Sequence, residues 1–168
     1  MKKLLILAAA LLLVSAVSSP ASAQEIQQIN IIDSGIYRAL RIQQADAPDV
    51  VTGVLGHVDN LELVEATATI PALQGVRFGF RFKIIGNTGA NVRLKFVIRM
   101  PQPGIQRGGT RKGIIRTENY EYLVVGESNY LGYKFDYLWE IVLGKWTLEV
   151  WDGSRRLVSQ SFDISASV

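Results

Sequence analysis

The segments Arg77-Phe78-Gly79-Phe80-Arg81-Phe82-Lys83 and Val92-Arg93-Leu94-Lys95-Phe96-Val97-Ile98-Arg99 decide how this chain folds. In the first, phenylalanines alternate with Arg77, Gly79, Arg81 and Lys83; in the second, Val92, Leu94, Phe96 and Ile98 alternate with Arg93, Lys95 and Arg99. A strand turns successive side chains to opposite faces, so each segment reads as a half-buried strand. The intervening Gly86-Asn87-Thr88-Gly89 tolerates positive φ, and the arrangement predicts an antiparallel hairpin.

Working outward, the C-terminal region repeats the device. Trp146, Leu148 and Val150 share a face, Asp152-Gly153 marks a turn, and Leu157, Phe162 and Ile164 continue into a last strand. Further strands are expected over Ile26 to Ile32, Gly35 to Gln43, Leu61 to Ile70, Tyr120 to Val125 and Tyr133 to Ile141. Loops are expected at Ala45 to Asp49, around Pro48, and at Pro101 to Gly113. No segment keeps a helical apolar period over three turns, and 15 glycines interrupt the chain at short intervals. An all-β, immunoglobulin-like antiparallel sandwich of about 7–9 strands follows, with a barrel as the alternative.

The amino terminus has a different character. Lys2 and Lys3 precede an uncharged apolar run from Leu4 to Val17, and Ala21-Ser22-Ala23 has the small residues of a cleavage site. The expectation is a signal peptide over residues 1–23 and a single domain over 24–168, in the periplasm or secreted. The run of 14 residues is shorter than the roughly 20 a membrane-crossing helix needs, so no transmembrane segment is expected in the mature chain. With 18 Lys and Arg against 15 Asp and Glu, loss of Lys2 and Lys3 leaves a net charge of +1. Cysteine is absent, so packing alone must hold the domain together.

Some of these residues carry a family resemblance. Ile70-Pro71, Gly75-Val76-Arg77-Phe78-Gly79-Phe80, Trp139-Glu140 and Gly144-Lys145-Trp146-Thr147-Leu148-Glu149-Val150-Trp151-Asp152-Gly153 resemble small exported bacterial proteins classed as domain of unknown function 3859. The resemblance implies an immunoglobulin-like sandwich and supplies no activity and no catalytic residues.

The charge layout is uneven. Between Glu65 and Glu118 the chain has no acid and ten cations; from Glu118 to Asp163 it has eight acids against four cations. If the first hairpin forms, Arg77, Arg81, Lys83, Arg93, Lys95 and Arg99 gather on one polar face, where like charges oppose one another. Glu118, Glu121 or Glu149 on neighbouring strands would neutralise them internally. Otherwise the face would dock an anionic envelope partner: a lipid phosphate, an acidic polysaccharide or an acidic protein surface. Nucleic acid is not expected, because the basic stripe shows no interleaved exposed aromatics. Arg107, Arg111 and Lys112 sit in a glycine-rich loop that can cradle an anion, although a solvated, mobile hairpin loop explains it as well.

Catalytic constellations are thin. Tyr133, Phe135, Tyr137 and Trp139 alternate as a core face would, with Lys134, Asp136 and Glu140 then turned to water. His57, the only histidine, has no nucleophile motif beside it and reads as a surface-loop residue. One histidine and no cysteine leave no metal site in view, and no cofactor is expected. Glu118, Glu121, Glu127 and Glu140 are the acids from which a glycan-cleaving pair would have to come. A binding module is the expected function, and the alternative is a structural component associating through strand edges.

Overall fold

The computed structural model describes residues 26–46, 54–107 and 112–166. The expected signal segment, Pro48 and Arg111 lie outside the described residues. Nine strands form among the described residues: β1 (Ile26–Asp46), β2 (Val54–Glu65), β3 (Thr69–Pro71), β4 (Arg77–Gly86), β5 (Asn91–Arg99), β6 (Arg116–Val124), β7 (Ser128–Lys134), β8 (Gly144–Asp152) and β9 (Arg155–Ser165). A 3-10 turn, Leu138–Glu140, precedes β8. The strands make two sheets, one ordered β2-β1-β4-β7 and the other β3-β9-β8-β5-β6. Among the described residues all ladders are antiparallel except the short β3–β9 pairing, which is parallel.

The core lies where the inner faces meet. Phe78, Phe80, Phe82 and Ile84 of β4 are fully buried, as are Leu94 of β5, Trp146, Leu148 and Val150 of β8. Phe78 meets Trp146 with ring centroids 5.8 Å apart and Phe162 at 5.2 Å, and Phe82 meets Phe96 at 6.1 Å, so aromatic contacts bridge the layers. Each such ring contributes about 1.5–3 kcal/mol by leaving water. Trp146 also donates its indole N–H to the Val142 carbonyl at 2.7 Å, which satisfies its one polar group.

The hairpin predicted for Arg77 to Arg99 does not form. β4 pairs with β1 and β7, whereas β5 pairs with β6 and β8 in the opposite sheet. The connection between them crosses from one sheet to the other. Its glycine-rich chemistry serves a corner here, with Gly89 at φ +88°. Its partner is a second corner: Gly89 N–H donates to the Val125 carbonyl at 2.9 Å, Val125 N–H to Ala90 at 2.9 Å and Gly126 N–H to Ile84 at 3.0 Å. Two corners therefore close the same end of the sandwich. Both strands carry a fully apolar inner face, and placing them in separate sheets lets each face cover the other.

The second hairpin forms as expected, with β8 and β9 joined through Gly153-Ser154 and Gly153 at φ +56°. The two segments expected before Gln43 fuse into β1, with a register irregularity between Ile31 and Asp33. The expected Leu61 to Ile70 strand divides into the end of β2 and β3. His57 falls within β2 opposite Gln43, not in a loop, and its side chain lies outside the described residues.

Candidate functional site

Because β4 and β5 occupy different sheets, the six cations expected on one wall stand on opposite walls. Arg77, Arg81 and Lys83 face outward from the four-stranded sheet, and Arg93, Lys95 and Arg99 face outward from the five-stranded one. This corrects the single basic hairpin face. Each wall has to be built separately.

On the four-stranded wall Arg81 is engaged by Asp33 of β1. Its Nε donates to the two carboxylate oxygens at 2.9 and 3.1 Å, and Tyr37 donates its hydroxyl to the same carboxylate at 2.6 Å. The Arg81 guanidinium holds the Asp33 carboxyl below the usual carboxylate range, and burial pushes the Tyr37 hydroxyl up. Three glycines, Gly35, Gly79 and Gly132, align across β1, β4 and β7. A Cβ at Gly132 would lie 1.9 Å from the Tyr130 hydroxyl, so the missing side chain is what lets that ring lie against the sheet. Tyr130 donates to the Phe78 carbonyl at 3.0 Å and meets the Tyr37 ring edge-on at 5.1 Å. Lys134 pairs with Asp136 at the strand end.

The five-stranded wall is built differently. Cross-strand register sets Tyr122 opposite Arg93, Tyr120 opposite Lys95, Glu118 opposite Val97 and Arg116 opposite Arg99. On the other side of β5, Trp151 stands opposite Lys95 and Glu149 opposite Val97, with Arg156 of β9 beyond Trp151. Five cations, Arg93, Lys95, Arg99, Arg116 and Arg156, thus share the centre of this wall with two carboxylates, Glu118 and Glu149. Glu149 is the hub. Its side chain is buried, and it accepts from Arg99 Nε and Arg156 at 3.3 Å each and from the Trp151 indole N–H at 2.9 Å.

Arg93 and Lys95 are held by rings. The Arg93 guanidinium lies 3.9 Å from the Tyr120 ring centroid, and the Lys95 ammonium lies 5.6 Å from that of Trp151. Arg156 approaches the other side of this network, 5.8 Å from the Trp151 centroid. Each contact of this kind is worth about 0.5–1 kcal/mol at an exposed site. Tyr120 remains 48% exposed and Tyr122 76% exposed, so the expected absence of exposed aromatics among the cations is overturned. The signal was in the sequence: Tyr120 and Tyr122 share a strand face with Arg116, and Trp151 falls out of phase with the core-facing Trp146, Leu148 and Val150.

The glycine-rich loop is pinned near its base. Ile105 and Ile114 exchange two backbone hydrogen bonds of 2.9 and 2.8 Å, the antiparallel pairing of the expected hairpin loop, and Ile105 is fully buried. Arg107 lies 5.9 Å from the Trp139 ring centroid, and Lys112 is exposed.

The aromatic run after β7 also departs from expectation. The strand ends at Lys134, and Tyr137 stacks on Trp139 at 5.4 Å beside the 3-10 turn. Tyr137 is 54% exposed, whereas Glu140, expected to face water, is buried. Its carboxylate accepts the backbone N–H groups of Asp136 and Tyr137 at 2.6 and 2.9 Å and the Tyr133 hydroxyl at 3.2 Å. Burial pushes the Glu140 carboxyl up. Glu140 thus organises the turn. Among the other acids, Glu118 faces the outer wall, Glu121 is on the opposite face of β6, and Glu127 is exposed in the β6–β7 turn. No cluster of three or more metal-ligating side chains occurs among the described residues.

The sandwich and its ring-and-cation wall define a class: an immunoglobulin-like β domain with a charged outer sheet face. In accord with this, a crystal structure at 1.50 Å of an immunoglobulin-like protein from Pseudomonas aeruginosa aligns with a TM-score of 0.60 and 21% identity, covering 84% of this chain and 100% of that one. The sequence profile of the domain of unknown function DUF3859 matches residues 25–164, and the chain belongs to this family. No curated protein matches.

Proposed function

We propose that this protein is an exported, non-catalytic binding module that docks an anionic partner on the outer wall of its five-stranded sheet. The observation that carries the reading is the setting of Arg93 and Lys95 over aromatic rings in a field of five cations and two carboxylates. A ring face orients a cation without neutralising it, so its field still reaches a ligand. The apolar run from Leu4 to Val17 supports an envelope or extracellular setting, where anionic polymers and surfaces abound.

Titration with inorganic polyphosphate at about 50 and about 200 mM salt tests this, because neutralising several anionic charges makes affinity fall steeply with salt. Saturable binding that weakens at the higher salt is expected. Absence of binding at the lower salt removes the reading.

Among the described residues the outermost strand β6 is studded with Arg116, Glu118 and Glu121, a pattern that discourages edge-to-edge pairing. That observation favours docking by a face over assembly through that edge.

A further inference from the structure

We infer that the partner of this wall is an acidic polysaccharide, a polymer whose sugars carry carboxylates. The inference rests on the anion-docking reading and narrows it. Three features of the wall, each directed at a different part of such a polymer, carry it.

The first is the rings. Tyr120 and Tyr122 lie two residues apart on one strand face, about 7 Å, and Trp151 lies two strands across from Tyr120, about 10 Å. Tyr122 is 76% exposed. A pyranose presents an apolar C–H face that packs on an aromatic ring, whereas a bare polyanion gains nothing from one.

The second is the posture of Arg93. Lying 3.9 Å over Tyr120, its guanidinium is already ordered, and a planar fork of donors matches a carboxylate with two parallel hydrogen bonds. Less rotamer freedom is then lost on binding.

The third is the ground beside the rings. Thr147 of β8 and Ser159 and Ser161 of β9 face outward, with the Thr147 and Ser161 hydroxyls 3.5 Å apart and both serines exposed. Neutral hydroxyls are donors and acceptors at once. They complement a polyol chain leaving the cationic half of the wall.

The test compares alginate (a polyuronate), dextran (a neutral glucan), polyphosphate, an oligothymidylate and phosphatidylglycerol vesicles by equilibrium binding to the protein and to its Tyr120→Ala and Tyr122→Ala variants. Unchanged thermal unfolding shows that the exposed substitutions leave the fold intact. Alginate is expected to bind tightest and dextran weakest, and each tyrosine variant should weaken alginate about fivefold or more, with Tyr122→Ala leaving polyphosphate within about twofold. Equal binding of alginate and polyphosphate, with both tyrosine variants silent, overturns the polysaccharide inference and leaves anion docking standing. Tighter binding of the oligothymidylate or the vesicles also overturns it, by assigning the wall to a base-stacking or membrane partner. Binding of none of the anionic probes defeats both readings together.

Discussion

The two outer walls of the sandwich carry tyrosines and cations side by side but arrange them in opposite ways. On the four-stranded wall Tyr37 is 3% exposed, Tyr130 lies against the glycine row, and Arg81 is committed to Asp33. On the five-stranded wall Tyr120 and Tyr122 stand in water, and Arg93 and Lys95 rest on rings. The difference comes from what occupies the neighbouring strand positions. Gly79 and Gly132 leave a trough into which a ring can settle, whereas on β5 the positions opposite Tyr120 and Tyr122 are filled by Lys95 and Arg93. Aromatics sunk among glycines stabilise the fold, and aromatics raised among cations are available to a ligand.

Substitutions break or sharpen this contrast in order of expected size. Trp146→Ala removes the ring that both layers share and should cost about 3–5 kcal/mol in chemical denaturation. An effect below about 1 kcal/mol would remove Trp146 from the centre of the core. Gly132→Ala drives a Cβ to 1.9 Å from the Tyr130 hydroxyl and 2.5 Å from the Phe78 carbonyl, so about 1–3 kcal/mol should be lost and Tyr130 displaced. A neutral result would show that the trough is not what seats the ring.

Asp33→Asn should remove about 1 kcal/mol at neutral pH, the scale of hydrogen bonds to a partly exposed charged group. Its pH dependence has a definite sign. The Asp33 carboxyl is held lower in the folded state than in the unfolded one, so its contribution is present above the ordinary Asp value near 4 and is lost as pH falls through the folded value. The variant should therefore show a shallower loss of stability on acidification, measured by unfolding between about pH 5 and pH 2. Tyr122→Ala, on the other wall, should change stability by less than about 0.5 kcal/mol while altering ligand binding.

Strand positions and the sandwich were legible because a buried inner face forces period-2 alternation, plainly in Phe78, Phe80 and Phe82 and again in Trp146, Leu148 and Val150. Pairing was not. The alternation of Arg77 to Lys83 and of Val92 to Arg99 is the same whether the strands lie side by side or face to face, and a glycine-rich corner serves both arrangements. The misplaced hairpin put Arg77 and Arg93 on one wall and hid the company Arg93 keeps with Tyr120, which only the β5–β6 register reveals. Glu140 escaped sequence reading for a related reason. The alternation Tyr133, Phe135, Tyr137 and Trp139 runs on past Lys134 as a strand's would, but there the backbone turns and offers two N–H groups to its carboxylate.

The most direct test of a functional division between the walls neutralises two cations on each in turn. Polyphosphate affinity is measured for the Arg93→Gln/Lys95→Gln protein and for the Arg77→Gln/Lys83→Gln protein across a salt series. The first pair is predicted to lower affinity about tenfold and to flatten the salt dependence by about two charges, with the second pair nearly without effect. Equal losses from the two pairs, or a larger loss from Arg77 and Lys83, would contradict the assignment of the ligand to the five-stranded wall.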